Sequence, residues 1–140
     1  MNPCYQDSRA TLYQGDCREV LRELPEQSVH TCITSPPYWH LRDYKVEGQL
    51  GLEATIPEYL DALVGCFRAV RRVLRDDGSL WLNIGDTRGG GENDDVRWPK
   101  QGSNTGARRF PTELRALHSL NQNGIPWRLA LRLQEDGWLL

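Results

Sequence analysis

No run of about 18 consecutive apolar residues, the length that crosses a bilayer as a helix, occurs in this sequence. The first residues also have no basic segment followed by an apolar run of the kind that directs secretion. Cysteine is sparse, and its residues are too far apart for the close pairs typical of zinc sites: Cys4, Cys17, Cys32 and Cys66. We therefore expect a cytoplasmic protein with reduced thiols and no metal centre.

An excess of charge of one sign is also missing. The 17 basic and 19 acidic side chains leave a formal net charge of −2. A chain with this charge is not a basic nucleic-acid binder as a whole, so any contact with DNA must come from a local patch. A length of 140 residues and a hydrophobic content of 39% are adequate for the core of one ordinary domain.

Short strands and helices alternate along the first part of the chain. Residues 11–15 are a strand candidate, Asp16 is placed to cap a helix that Pro25 ends, and Val29–Thr34 has the apolar character of a buried strand. Residues 35–54 then form a loop whose length, aromatic rings and charges favour a functional role over that of a connector.

The strongest periodic pattern is a helix over residues 56–74, where apolar residues recur at alternating spacings of four and three. Thr55 and Glu58 have the spacing of a capping box at its start, and Gly78 is expected to end it. A third strand follows over residues 79–84. This order predicts an α/β fold with a mostly parallel sheet covered by helices.

The pattern changes after residue 86. Residues 87–111 are rich in Gly, Asn, Ser and charge, which predicts a flexible loop, and the glycine run at 89–91 lacks the lysine of a phosphate-binding P-loop. An amphipathic helix follows, broken at Gly124. Its apolar set is Ile125, Leu129, Leu131 and Leu133. Residues 137–140 have the composition of the first residues of another strand.

The most informative motif is Ser35-Pro36-Pro37-Tyr38, at the end of the second strand. Open α/β sheets place their chemistry at such strand ends. Two adjacent prolines fix φ and leave two carbonyls without a local amide partner, so a rigid acceptor lies beside an aromatic ring. This pattern suits a planar group with an N–H to donate, such as an aminated nucleobase. The alternative is a Pro-Pro turn with ordinary half-buried aromatic residues.

Three further sets of charged residues have two interpretations each. Asp16 is either a helix cap alone or also a ligand contact at a strand end. Asp86, at the end of the third strand, either borders the same pocket or caps the next turn. Arg108 and Arg109 either contact DNA phosphates or form a solvated basic face.

Residues 34–39, Thr-Ser-Pro-Pro-Tyr-Trp, with residues 12–16 ahead of them, resemble the amino-group DNA methyltransferases, specifically the N4-cytosine members. Those enzymes typically carry Ser-Pro-Pro-Tyr where N6-adenine enzymes more often carry Asp-Pro-Pro-Tyr. The resemblance continues through residues 51–53, the long helix, residues 81–86 and residues 124–128. It is poor over residues 91–123.

The resemblance implies a partial Rossmann-like methyltransferase fold and S-adenosylmethionine as methyl donor. It implies double-stranded DNA with a flipped target base as substrate. The Ser35 side chain and the Pro36 carbonyl would accept the hydrogens of the cytosine N4 amino group. Tyr38 would stack on the base, Trp39 would form a wall of the pocket, and Asp16 would lie near the adenosine of the donor.

The Phe-x-Gly-x-Gly segment that forms the main donor site in this family does not occur here. In the branch with an early Ser-Pro-Pro-Tyr motif, that segment comes late in the chain. Residues 1–140 thus resemble the N-terminal, catalytic-motif portion of a methyltransferase domain, with an incomplete, mostly parallel sheet. We expect weak or no activity from this portion alone. Its expected partners are a complementing C-terminal half or a cognate restriction endonuclease.

Other functions remain open on the sequence. N6-adenine methylation is the alternative within enzymes, because Ser35 is a tendency of the N4 members and not a rule. A non-catalytic DNA-binding half of a split enzyme is the alternative from another class. Methylation of a protein glutamine usually goes with Asn-Pro-Pro-Tyr and is disfavoured by Ser35.

Overall fold

A computed structural model of the chain describes residues 2–87 and 121–140. Within these residues the elements are β1 (Tyr5–Gln6), β2 (Thr11–Leu12), α1 (Cys17–Glu23), β3 (Val29–Thr34), α2 (Ile56–Val73), β4 (Leu74–Leu82) and α3 (Ile125–Glu135). The described residues divide between two compact units. The first unit comprises the described residues within Met1–Thr34 and Gly65–Leu82. The second unit comprises those within Ser35–Val64 and Asn83–Leu140.

A parallel pair of strands, β3 and β4, forms the sheet of the first unit and confirms the parallel arrangement predicted for the fold. Ile33 lies opposite Trp81 in this pairing, and the two side chains are 81% and 65% exposed. The prediction of a buried strand over Val29–Thr34 is therefore correct in its bounds and wrong in its burial. Parallel sheets are normally covered on both faces. Here Cys32, Leu80 and Leu82 on one face are half-buried, whereas the face that carries Ile33 and Trp81 is exposed among the described residues.

The strand candidate at residues 11–15 is shorter and pairs differently from the expectation. Only Thr11–Leu12 is a strand, and it pairs antiparallel with Tyr5–Gln6 in a sheet separate from β3 and β4. The helix that follows agrees with the prediction, because the Asp16 side chain accepts from the Arg18 amide and the helix ends before Pro25. Arg72 donates to the carbonyls of Leu21 and Leu24, at 2.7 and 2.8 Å, and so satisfies the end of α1.

The long amphipathic helix α2 also forms as the pattern predicts. The Thr55 amide donates to Glu58 Oε2 at 3.0 Å and the Glu58 amide donates to Thr55 Oγ1 at 3.3 Å, which is the reciprocal capping box. Its inward positions are all buried: Ile56, Leu60, Leu63, Phe67 and Val70.

The end of α2 differs from the prediction. Leu74 is the first residue of β4, and Gly78 lies within that strand instead of ending the helix. A Cβ at Gly78 would lie 2.9 Å from the Arg75 carbonyl oxygen and 3.1 Å from that of His30. Gly78 is thus required for a close approach of two strand backbones, next to the register shift between Val29 and Thr31.

In the second unit, α3 buries three of the four apolar residues expected to face inward, Ile125, Leu129 and Leu133. Leu131 is 57% exposed, because a residue two positions from Leu129 points to the far side of a helix. The helix ends at Glu135 and a turn follows, in which the Gly137 amide donates to the Gln134 carbonyl at 2.9 Å. Residues 138–140 do not form the expected strand. No helix of the described residues is long and apolar enough to cross a membrane.

We predict that Gly78→Ala lowers the free energy of unfolding by about 1–3 kcal/mol, because the new methyl group meets backbone atoms that cannot yield cheaply. Gly65→Ala is the matched control. Nothing lies within 4 Å of a Cβ at exposed Gly65 on α2, so this change should stabilise the chain by about 0.5–1 kcal/mol. Urea unfolding measures both, and an equal effect of the two substitutions would contradict the assignment of Gly78.

Candidate functional site

The Ser-Pro-Pro-Tyr motif follows the last residue of β3 and belongs to the second unit. Its residues Ser35, Pro37 and Tyr38 contribute to the lining of a cavity of about 230 Å³. Pockets for drug-sized ligands are about 300–1,000 Å³. A cavity of this size therefore suits a group smaller than a drug-sized ligand.

The backbone of the motif is anchored by donors to two of its carbonyls. The Tyr59 hydroxyl donates to the Pro37 carbonyl at 2.8 Å, and the Leu41 amide donates to the Tyr38 carbonyl at 3.1 Å. No donor among the described residues reaches the Pro36 carbonyl. The Pro36 carbonyl is therefore an acceptor without a partner among the described residues, although Pro36 is not one of the residues that line the cavity.

The Ser35 hydroxyl is also available. Its oxygen lies 3.5 Å from the Tyr38 hydroxyl, at the outer limit of hydrogen-bond distance. Such a contact orients the two groups without committing either hydroxyl. Ser35 and Pro36 thus present two acceptor oxygens from neighbouring positions of a rigid backbone.

Two glycines let the chain pack against the motif. A Cβ at Gly85 would lie 2.7 Å from Cε2 of the Tyr38 ring, and a Cβ at Gly51 would lie 3.1 Å from the Tyr38 carbonyl. Gly51 also has a φ of +94°, which favours glycine. Neither glycine was singled out from the sequence, since a close approach between distant segments leaves no local signal.

Trp39, expected from the sequence to form a wall of the pocket, is not among the residues that line the cavity. Its side chain is 0% exposed, its Nε1 donates to the Glu53 carbonyl at 3.0 Å, and its ring stacks on Tyr59 with centroids 6.5 Å apart. A large apolar ring next to a turn gains more from burial than from exposure. Trp39 therefore supports the motif from the interior of the second unit.

Tyr59 contacts the motif although the sequence analysis does not name it, because nothing near it in the sequence indicates a partner 22 residues away. It is 0% exposed, and burial raises the pKa of its hydroxyl well above the usual range. The hydroxyl therefore remains protonated and donates to the Pro37 carbonyl throughout the physiological pH range.

Asp86 caps a helix that lies far along the chain. Its Oδ2 accepts from the Gly124 amide at 2.9 Å, and its Oδ1 accepts from the amides of Ile125 and Thr87 at 3.1 and 2.8 Å. Of the two roles left open by the sequence, the geometry supports capping, here of α3 rather than of the next turn. Asp86 does not line the cavity.

Asp16 lies in the first unit, at the start of α1. Hydrogen bonds from the Arg18 side chain and amide lower the pKa of Asp16 to about 2, so the carboxylate is ionised at neutral pH. The group is exposed and accepts from Arg18 at both oxygens. Arg108, Arg109 and the loop predicted at residues 87–111 fall outside the described residues, apart from Thr87.

Comparison with known proteins identifies the family. The model of the N6/N4 DNA methylase family matches residues 29–139. The chain therefore belongs to the DNA methylases that modify exocyclic amino groups, as the Ser-Pro-Pro-Tyr motif predicted.

Curated relatives are type II methyltransferases. The chain is 50% identical over 132 residues to M.XycI of Xanthomonas campestris pv. cyanopsidis and 48% identical over 132 residues to M.Cfr9I of Citrobacter freundii. Each alignment covers 94% of this chain and 44% of the relative. The chain thus spans under half the length of these relatives.

Among solved structures, the chain is similar to PvuII DNA methyltransferase (cytosine-N4-specific). The TM-score is 0.59 at 21% sequence identity, and the match covers 96% of this chain and 36% of that one. This likeness confirms a methyltransferase fold, of which the present chain forms a part.

We predict an energetic coupling between Gly85 and Tyr38. Gly85→Ala should lower the free energy of unfolding by about 1–3 kcal/mol, because the methyl group displaces the Tyr38 ring. In a Tyr38→Ala background the ring is gone, so the same change should cost far less. Chemical unfolding of the four proteins of this double-mutant cycle measures the coupling, and additive effects would show that the ring and the glycine do not meet.

Proposed function

We propose that this chain carries the target-base portion of an S-adenosylmethionine-dependent DNA methyltransferase acting on the N4 amino group of cytosine. The observation that carries the proposal is the pair of uncommitted acceptors, the Ser35 hydroxyl and the Pro36 carbonyl, beside Tyr38 at the end of β3. Serine at this position favours cytosine over adenine.

The two acceptors would activate a poor nucleophile. The lone pair of a cytosine amino nitrogen is delocalised into the ring, and the nitrogen must become more pyramidal before it attacks a methyl group. Acceptors that bind its two hydrogens favour that change, and they stabilise the positive charge that develops as the N–C bond forms. A strong general base is needed only when the extra proton leaves the nitrogen.

Tyr38 would hold the base in place. Stacking of a nucleobase on an aromatic ring is worth about 1–3 kcal/mol in single-strand binders. The ring lines the cavity, and its edge packs at Gly85. A flipped base is required because the amino group is otherwise inside the duplex.

The methyl donor, S-adenosylmethionine, is proposed from the family. Among the residues present, Asp16 fits its adenosine end. Bound S-adenosylmethionine would supply an activated methyl group on sulfur. The ionised, exposed carboxylate of Asp16 can accept from the hydroxyls of an adenosine moiety, provided that Arg18 yields one of its bonds. The remaining donor contacts must come from elsewhere, since the glycine-rich segment is not in this sequence.

Double-stranded DNA is the proposed substrate, and the cytoplasm the proposed location. Arg108 and Arg109 remain predicted phosphate contacts. A complementing C-terminal portion is the proposed partner, because the Ile33 and Trp81 face of the β3–β4 sheet is exposed and the relatives are more than twice as long as the matched region. The type II relatives also support a cognate restriction endonuclease as a companion. N6-adenine methylation and a non-catalytic half are the alternatives.

The base is tested in a chimera in which this chain replaces the matching 132 residues of M.XycI. We expect N4-methylcytosine in digested product DNA by mass spectrometry, and about a 100-fold or greater loss of kcat for Ser35→Ala. Ser28→Ala, an exposed serine bonded to the Pro25 carbonyl, is the control and should leave the rate unchanged. N6-methyladenine as the product, or full activity of Ser35→Ala, would rule out the proposal.

The partner is tested with the 140-residue chain and the separate C-terminal portion of M.XycI. We expect no methylation by either alone and association on mixing, measured by calorimetry. Ile33→Asp should abolish association, because it places a charge in the face to be covered. Leu131→Asp, at a leucine that is 57% exposed on α3, should not. Association that survives Ile33→Asp would show that the exposed sheet face is not the docking surface.

A further inference from the structure

Part of the cavity lining comes from outside the Ser-Pro-Pro-Tyr motif. Leu41, Arg42 and Tyr44 line the cavity together with the motif residues. Tyr44 is 53% exposed, so its ring is open to a ligand. We call residues 41–44 the rim segment.

Arg42 brings a positive charge to the rim that no described residue neutralises. It forms no ion pair and no side-chain hydrogen bond within the described part of the chain. The neighbouring carboxylate of Asp43 accepts from the Lys45 amide at 2.7 Å. An uncompensated guanidinium beside a cavity suits an anionic group of the ligand.

Gln49 holds the rim segment in shape. Its Nε2 donates to the Arg42 carbonyl at 2.9 Å, and its Oε1 accepts from the Tyr44 amide at 2.6 Å. One side chain thus fixes the backbone on both sides of Asp43. This clamp sets the direction in which the Arg42 and Tyr44 side chains leave the backbone.

The segment is bracketed by two non-glycine residues in the left-handed region. His40 has a φ of 50° and Lys45 a φ of 56°. Such conformations cost free energy and persist where the surrounding structure imposes them, often at ligand sites. Strain at both ends, together with the Gln49 clamp, indicates a rim that is shaped before any ligand arrives.

We infer that Arg42 binds the phosphate next to the flipped target nucleotide and that Gln49 is its positioning residue. The inference rests on the proposed function. A base that enters this cavity beside Ser35 and Tyr38 would bring its own sugar and phosphate to the mouth of the cavity, which Arg42 also lines. A guanidinium there makes charge-assisted bonds to phosphate oxygens and fixes the nucleotide without reading the base. Tyr44 supplies a second aromatic surface for the sugar or the base.

The probe is a fluorescein-labelled single-stranded oligodeoxycytidylate, which needs no base flipping, bound to the full 140-residue chain and followed by anisotropy across a salt series. We expect Arg42→Ala to weaken binding about tenfold, the size of a lost charge-assisted bond. The slope of log K against log salt should fall by about 0.7, the value for one phosphate on a single strand. Arg9→Ala, at an exposed arginine of the first unit, is the control and should change neither quantity.

Two further experiments distinguish a contact with the phosphate from a contact with the base, and the positioning role of Gln49 from the charge of Arg42. An oligonucleotide of abasic sites should show the same loss on Arg42→Ala, whereas a loss confined to the cytosine probe would show a base contact and overturn the inference. Gln49→Leu should weaken binding on its own and add little in an Arg42→Ala background. Additive effects would remove Gln49 from the role of positioning residue.

The readout distinguishes this inference from the proposed function. Binding and its salt slope do not require methyl transfer, so a chimera that makes no N4-methylcytosine leaves the Arg42 result intact. Conversely, the chimera can be active while Arg42→Ala leaves the slope of log K against log salt unchanged. That result overturns the phosphate contact and leaves the proposed function intact. Circular dichroism and the unfolding midpoint of each variant show that the fold is retained.

Discussion

The hydrogen bond from the buried Tyr59 hydroxyl to the Pro37 carbonyl is the contact on which the arrangement of the candidate site depends. It satisfies the Pro37 carbonyl, whereas the Pro36 carbonyl has no donor among the described residues. Because burial raises the pKa of Tyr59, the hydroxyl remains a donor. The stack of Trp39 on the same ring ties the following residue to this anchor.

The site is assembled from segments far apart in the sequence, and small residues permit that assembly. Gly85 leaves room for the Tyr38 ring, and the next residue, Asp86, uses its carboxylate to cap α3. The two residues Gly85 and Asp86, which follow β4, therefore contact the motif and cap a helix about forty residues away. On the other side, Gln49 shapes the rim segment. Chemistry that needs a planar group held between fixed oxygens requires rigidity of this kind.

The parallel sheet has one face that the described residues leave exposed. Two parallel strands with Ile33 and Trp81 exposed on one face do not form a stable sheet on their own. Membership of the N6/N4 DNA methylase family and relatives of more than twice the matched length agree with this form. The cavity beside Tyr38 supports the proposed site for the target base, whereas Asp16 is the one described residue proposed to contact the methyl donor.

Local chemistry determined what could be predicted from the sequence: the bounds of β3, the capping box of Thr55 and Glu58, the Asp16 cap, the inward face of α2 and the family. Each depends on residues within a few positions of one another. Tertiary structure decided the rest. It buried Trp39, assigned Asp86 to α3, moved Gly78 from a helix end to a strand contact, exposed Ile33 and brought Tyr59 and Gln49 into the site. These outcomes depend on which distant segments meet, and a pattern along the chain has no record of such contacts.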